Sequence, residues 1–205
     1  MRPILNLACG ISRRVARRVS ARLRALRRNE AGVAALEFAL SAPFLVILTL
    51  GGFEMSRYIL VQQKADKMAF TVADAVARDK TLTYSMADQL FQASTELMKP
   101  LDFSDHGLVI LSAVARDSDE TKIRVKWQCK GGGTLDVASR IGDIGDIADV
   151  PGDLTLDPKD YLIITEVFYE WTPTFGSYFF GDHGIYKYAM FRPRLGQLTT
   201  TAGCS

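Results

Sequence analysis

The chain has 205 residues, 48% of them apolar, and a formal net charge of +2. That length is enough for one modest domain plus an anchor. The balance hides an asymmetry, because residues 1–28 carry nine arginines and no acid. Setting those arginines and Glu30 aside from 25 basic and 23 acidic residues leaves 16 against 22 beyond Gly32.

The leader comes first. Basic residues just before a hydrophobic span hold that end in the cytoplasm. Arginines paired at Arg13/Arg14, Arg17/Arg18 and Arg27/Arg28, with apolar residues between, also suit a helix lying on anionic lipid. No recognition fold follows the run, so nucleic acid is not an expected partner.

The span runs from Val33 to about Phe53, with Glu37 as its only ionisable group. At about 1.5 Å per residue its 21 residues reach roughly 30 Å, one hydrocarbon thickness. Pro43 lies inside and is expected to kink the helix. The segment ends Leu50-Gly51-Gly52-Phe53, a poor match to the A-x-A-like site of a cleavable secretory signal. A carboxylate in lipid must be protonated, snorkelled or paired, which makes Glu37 the residue to explain.

Beyond the span the pattern becomes amphipathic without a break. Tyr58, Val61, Ala65, Met68, Ala69, Val72, Ala73, Val76 and Ala77 recur at three- and four-residue spacing, separated by charged and amide side chains. One helix from about Val33 to Asp79 is the simplest reading, its apolar stripe packing on a core. A second helix is expected where Ser85 and Asp88 resemble a capping box and Leu90, Phe91, Ser94, Leu97 and Met98 share a face, ending at Pro100.

The remainder reads as β. Leu108 to Ala115 is a short apolar strand, Asp117 to Glu120 a turn, and Thr121 to Cys129 an alternating strand. That alternation puts Ile123, Val125 and Trp127 on one face and leaves the other solvated. Residues 131–160 are Gly- and Asp-rich and read as an irregular surface loop. Tyr161 to Trp171 is the strongest strand, and Tyr186 to Phe191 a plausible last one. Helices first and strands together later predict an α+β fold, with the long helix laid on an antiparallel sheet.

No catalytic constellation stands out. His106 and His183 lack metal-ligand spacing and read as surface loop residues, and Gly131-Gly132-Gly133 lacks the lysine and the strand–loop–helix context of a phosphate loop. Asp143, Asp146 and Asp149 could offer oxygens to calcium. Their spacing departs from the EF-hand loop, so they are expected on the surface without a tightly bound metal. No enzyme activity, cofactor or metal site is expected. Of the three cysteines, Cys9 lies in the leader, while Cys129 and Cys204 lie beyond the span, where an oxidising compartment permits a disulfide. Sequence does not establish the pairing. We expect these two to be joined.

A basic leader, Gly32, then Val33-Ala34-Ala35-Leu36-Glu37-Phe38 and an apolar span resembles the class III signal of type IV prepilins. The run Ala35 to Pro43 is similar to the TadE/TadG-like pseudopilins of the tight-adherence (Flp) pilus system, and the short chain fits the TadE-like branch. Members have a proline soon after the Glu-Phe pair, an amphipathic helix after the span, a central strand like Ile163 to Trp171 with a proline such as Pro173 beyond it, and a cysteine near the carboxyl end. The resemblance implies a type IV pilin-like fold and three parts: a cleaved leader 1–32, a span 33–53 and a periplasmic or extracellular domain 54–205. It implies cleavage between Gly32 and Val33 by a prepilin peptidase, with Glu37 and Phe38 in assembly. The new ammonium of Val33 on an adjacent subunit would be a natural counter-ion for Glu37; the alternative is a carboxylate snorkelling to the headgroups.

The expected role is that of a minor pilin or pseudopilin, single-pass in the bacterial inner membrane with a cytoplasmic N-terminus, or incorporated in an extracellular pilus. Its expected partners are other pilus subunits and pseudopilins, the peptidase, the inner-membrane assembly platform and membrane lipid. The alternative is an uncleaved, membrane-anchored periplasmic binding module.

Overall fold

A computed structural model describes residues 32–117, 121–152, 154–175, 181, 183–196, 198–200 and 204. The leader arginines, Cys9, the tip of the 117–120 turn and Asp153 lie outside the described residues. The chain divides into two compact units, one ending at Gly51 and one running from Gly52 to Ser205.

Helix α1 spans Val33–Val76 and contains Pro43. Its long run of Ala, Leu, Met, Gln and Lys favours helix, and a pyrrolidine ring in mid-helix costs one backbone hydrogen bond. In the second unit the predicted stripe faces inward: Val61, Ala65, Met68, Ala69, Val72, Ala73, Val76 and Ala77 are all buried. Strand β1 (Thr81–Leu82) follows, then α2 (Tyr84–Met98), the single-turn α3 (Phe103–His106), and strands β2 (Gly107–Arg116), β3 (Ile123–Gly131), β4 (Tyr161–Trp171), β5 (His183–Phe191) and β6 (Thr199–Thr200).

The cap of α2 is Thr83, whose hydroxyl accepts the Met86 N–H at 3.3 Å. The Ser85–Asp88 box expected from sequence starts two residues too late, because Thr83 is the last extended residue before the helix and its hydroxyl reaches the first turn. Phe91, Ser94 and Met98 are buried along the predicted face.

Strands β3-β2-β4-β5 form one antiparallel sheet in that order. The two inner strands, β2 and β4, are buried on both faces, which explains their near-continuous apolar sequences. One face carries Val109, Leu111, Ala113, Trp127, Cys129, Ile163, Val167, Tyr169, Trp171 and Ile185, packed with the α1 stripe and with Phe91 and Met98 of α2. This is an α+β fold with the long helix on a four-stranded antiparallel sheet.

The opposite face corrects the sequence reading. It is not solvated. The segment between β3 and β4 folds over it, burying Ile141 and Leu156 against Val114, Val125, Leu162 and Ile164. Leu135 and Val137 pack beside Leu108, Ile110 and Phe168. Ile141 and Leu156 of that segment are therefore core, while Ile144, Ile147, Asp143, Asp146 and Asp149 are exposed between them.

The β3 alternation is also interrupted. Ala113 pairs with Trp127 and Val114 with Val125, so Lys126 is an extra residue in the ladder. The bulge puts Trp127 on the helix face and Val125 on the loop face, where a regular strand would keep them together.

Three glycines at the end of β3 serve this crossing. A Cβ on Gly133 would stand 2.1 Å from the Gly107 carbonyl oxygen and 2.7 Å from that of Phe103. Gly132 has a φ of +84°. The chain can then pass close over α3, where Leu135 N–H donates to Gly107 O at 3.1 Å.

β1 and β6 pair in parallel, Thr81 with Thr199 and Leu82 with Thr200, a two-stranded sheet that sequence periodicity did not foretell. His106 ends α3 and His183 opens β5; both are exposed, at element ends rather than in loops.

Candidate membrane and assembly site

The segment from Gly32 to Gly51 carries four of the residues singled out from sequence. Gly32 directly precedes α1, Val33 is its first residue, and Glu37 and Phe38 lie in the next turn; all four are exposed. The apolar window of α1 has a mean hydropathy of 2.1, is long enough to cross a membrane, and buries none of its residues within the fold.

The polar groups in this window are turned inward. Ser41 Oγ donates to the carbonyl of Glu37 at 2.9 Å, and Thr49 Oγ1 to that of Leu45 at 2.7 Å. Each hydroxyl thus spends its proton on its own helix, as a lipid environment demands. Glu37 is the one ionisable side chain among residues 33–53.

At the start of the second unit lies a residue that sequence reading missed. Glu54 is only 5% exposed. Its Oε1 accepts the N–H groups of Thr174 and Phe175, each at 2.8 Å. Arg57, one turn on, stands 3.9 Å from Oε2 and donates to the Thr174 hydroxyl. Phe53 and Phe175 meet edge to face, their ring centroids 5.9 Å apart. One carboxylate therefore ties the chain leaving β4 to the helix. Its signal was present in the sequence: Glu54 shares the spacing of Tyr58, Val61, Ala65 and Met68, a lone acid on the apolar stripe.

A second buried carboxylate organises the far face of the sheet. Glu166 in β4 is fully buried and accepts from Arg140 N–H at 2.9 Å, from Tyr186 Oη at 3.1 Å and from the Ser139 hydroxyl. The Arg140 guanidinium lies 4.1 Å over the Tyr186 ring. Burial, and then the neighbouring Glu166 charge, push the Tyr186 phenol well above its ordinary range. These groups border an open, largely apolar cavity of about 350 Å³ lined by Leu135, Val137, Phe168 and Tyr186. They hold the segment after β3 on the sheet.

Cys129 and Cys204 are joined in a disulfide with their Cα atoms 4.8 Å apart. The described residues contain no group of three or more His, Cys, Asp or Glu side chains able to hold a metal.

Among known proteins, the family model described as TadE-like protein matches residues 32–74. The match covers α1 almost from end to end and includes Gly32, Val33, Glu37, Phe38 and Glu54. It implies a protein associated with the Tad pilus system. No curated protein and no solved structure matches the chain.

Proposed function

We propose that this chain, TadE-like over residues 32–74, is a minor pilin or pseudopilin that acts structurally in assembling a tight-adherence pilus. The observation that carries the reading is where the match falls. It begins at Gly32 and runs through the glutamate of the span into the packed half of α1.

The role is mechanical rather than catalytic. The apolar window stores the subunit in the inner membrane, with the arginine-rich leader on the cytoplasmic side and the α+β domain outside. The disulfide supports that orientation, since an oxidising compartment is where such a bond persists. A prepilin peptidase cuts after Gly32. The ammonium of Val33 then meets the Glu37 carboxylate of a neighbouring subunit as spans stack, a pairing that hydrocarbon strengthens because neither charge has water to fall back on. Other pilus subunits and the assembly platform are the partners.

The test uses two variants side by side. Gly32→Val should leave a full-length precursor in the membrane, since glycine alone brings no side chain to the scissile bond. Glu37→Ala should be cleaved and inserted as well as wild type or better, by up to about 2–3 kcal/mol on insertion scales and by less this near the edge. It should nevertheless fail to assemble. Membrane fractionation, intact mass and pilus counts read the outcomes. Normal piliation of Glu37→Ala would reduce the carboxylate to a tolerated charge. Wild-type protein that keeps residues 1–32 beside an active peptidase would replace this reading with an anchored periplasmic binding module.

A further inference from the structure

We propose that the domain makes a second membrane contact, in which Phe53 and Phe175 sit at the headgroup–acyl boundary and Glu54 holds them there. It rests on the reading of residues 33–53 as a membrane span, and adds a contact beyond the span itself.

Four observations converge on this corner. Phe53 closes an apolar run one hydrocarbon thickness long, so it falls at the level where aromatic rings collect in membrane proteins. Phe175 is far from Phe53 in the chain, yet its ring meets that of Phe53, and the two remain 58% and 50% exposed. A pair of phenylalanines that exposed has no reason to be built for water. Arg57, beside them, is part-exposed and can extend to lipid phosphate from its place next to Glu54. The sequence around Phe175 agrees, since four of the six residues 175–180 are aromatic.

The buried carboxylate gives this corner its rigidity. Two backbone N–H groups converge on one Glu54 oxygen, so the Thr174–Phe175 peptide is locked against α1 rather than left to drift. Ionised acceptors make the stronger hydrogen bonds, and this one is shielded from competing water. Glu54 is thus a positioning residue. It touches no lipid, and sets where the aromatic pair points.

The experiment places single tryptophan reporters in the full chain, reconstituted in vesicles of phosphatidylcholine and phosphatidylglycerol. The native Trp127 and Trp171 are 7% and 5% exposed, and their signal is subtracted with wild-type protein. Phe44→Trp reports on the span and Phe175→Trp on the proposed contact. Phe70→Trp reports on α1 some 17 residues beyond Phe53, about 25 Å along the helix.

Phe175→Trp should be quenched at least twofold more than Phe70→Trp by lipids brominated near the headgroup. Phe70→Trp should be the one reached by aqueous iodide. Adding Glu54→Ala should remove the bromine quenching at position 175. Glu54→Gln should keep most of it, because the amide oxygen still accepts both N–H groups. Near-UV circular dichroism reports whether each variant is folded. Wild-type protein with a photoactivatable lipid, its diazirine near the headgroup, gives a reading free of substitutions: adducts should map to Phe53 and Phe175 and not to residues 62–70.

Bromine quenching of Phe44→Trp with iodide access and no lipid quenching at position 175 would overturn the contact while sparing the span. Absence of lipid quenching at position 44 would remove the span, and the contact with it. Adducts spread evenly along α1 would also overturn it.

Discussion

Asp74 sits between two guanidinium groups. Arg78, in the turn that follows α1, bonds one carboxylate oxygen, and Arg194, from beyond β5, bonds the other at 2.6 Å. Arg194 also donates its backbone N–H to the Ala77 carbonyl at 2.8 Å, so the last turn of α1 is tied to the chain leaving the sheet. The Arg78 hydrogen bond, opposed by partial burial and helped by both positive charges, holds the Asp74 carboxyl below its ordinary 3.8. A depressed carboxylate stabilises the fold above the unfolded value and loses that contribution as pH falls through the folded one. The Tm of wild type should therefore exceed that of Asp74→Asn at pH 6, and the gap should close as the solution is acidified below 3.8. A gap that stays constant with pH would mean the arginines hold the side chain by packing alone. Glu166 makes a different case, because it is buried with three donors around it. Glu166→Ala strands the Arg140 N–H and the Tyr186 hydroxyl, and should cost about 1–3 kcal/mol for a group so orphaned. Urea unfolding measures it, and Glu166→Gln should recover part of the loss.

At the scale of elements, α1 follows its sequence closely and the 132–160 segment does not. A 44-residue helix needs only local spacing and propensity, and these carry it from Val33 to Val76 across Pro43 and Gly51-Gly52. The segment after β3 has neither period, and its few apolar residues look like noise in an acidic run. Ile141 and Leu156 among them are buried because the sheet they cover brings Val114, Val125, Leu162 and Ile164 to the same place. Gly133 is the point on which that crossing depends. Gly133→Ala would drive a methyl into two backbone carbonyls that cannot rotate aside, and should destabilise by about 1–3 kcal/mol, as overpacking does. Thermal unfolding checks it against Gly145→Ala, where a Cβ would meet open space and the positive φ alone carries the cost. Equal losses at both positions would deny the crowding at Gly133.

Across the whole domain, the C-terminal tail is held at three points. β6 pairs with β1, Leu198 is buried in the main core with its carbonyl 3.4 Å from the Trp127 indole nitrogen, and Cys204 is bonded to Cys129 of β3. The bond closes a loop of 75 residues containing β4 and β5. Closing a loop of that size restricts the unfolded chain by about 4 kcal/mol in the entropy model. Reduction, or Cys204→Ser, should lower unfolding free energy by roughly that amount while leaving α1 and the four-stranded sheet in place. Denaturant melts with and without dithiothreitol measure the loss. A reduced protein as stable as the oxidised one would mean that β6 and Leu198 secure the tail unaided.

Sequence by itself determined the long helix with its apolar and amphipathic halves, the strands β2 to β5, the α+β class and the similarity of residues 32–74 to TadE-like proteins. Those features are written in periodicity and in a local motif, which neighbouring residues express without reference to distant ones. It also pointed to Cys129 and Cys204, through their placement beyond the span. Only the tertiary structure decided the roles of Glu54 and Glu166, the flip at Lys126, the burial of Ile141 and Leu156, and the β1–β6 pair. Each depends on groups far apart in the chain: Glu54 on amides 120 and 121 residues away, Glu166 on a serine, an arginine amide and a tyrosine from two other segments. A buried carboxylate is costly until its donors arrive, and only the folded chain brings them.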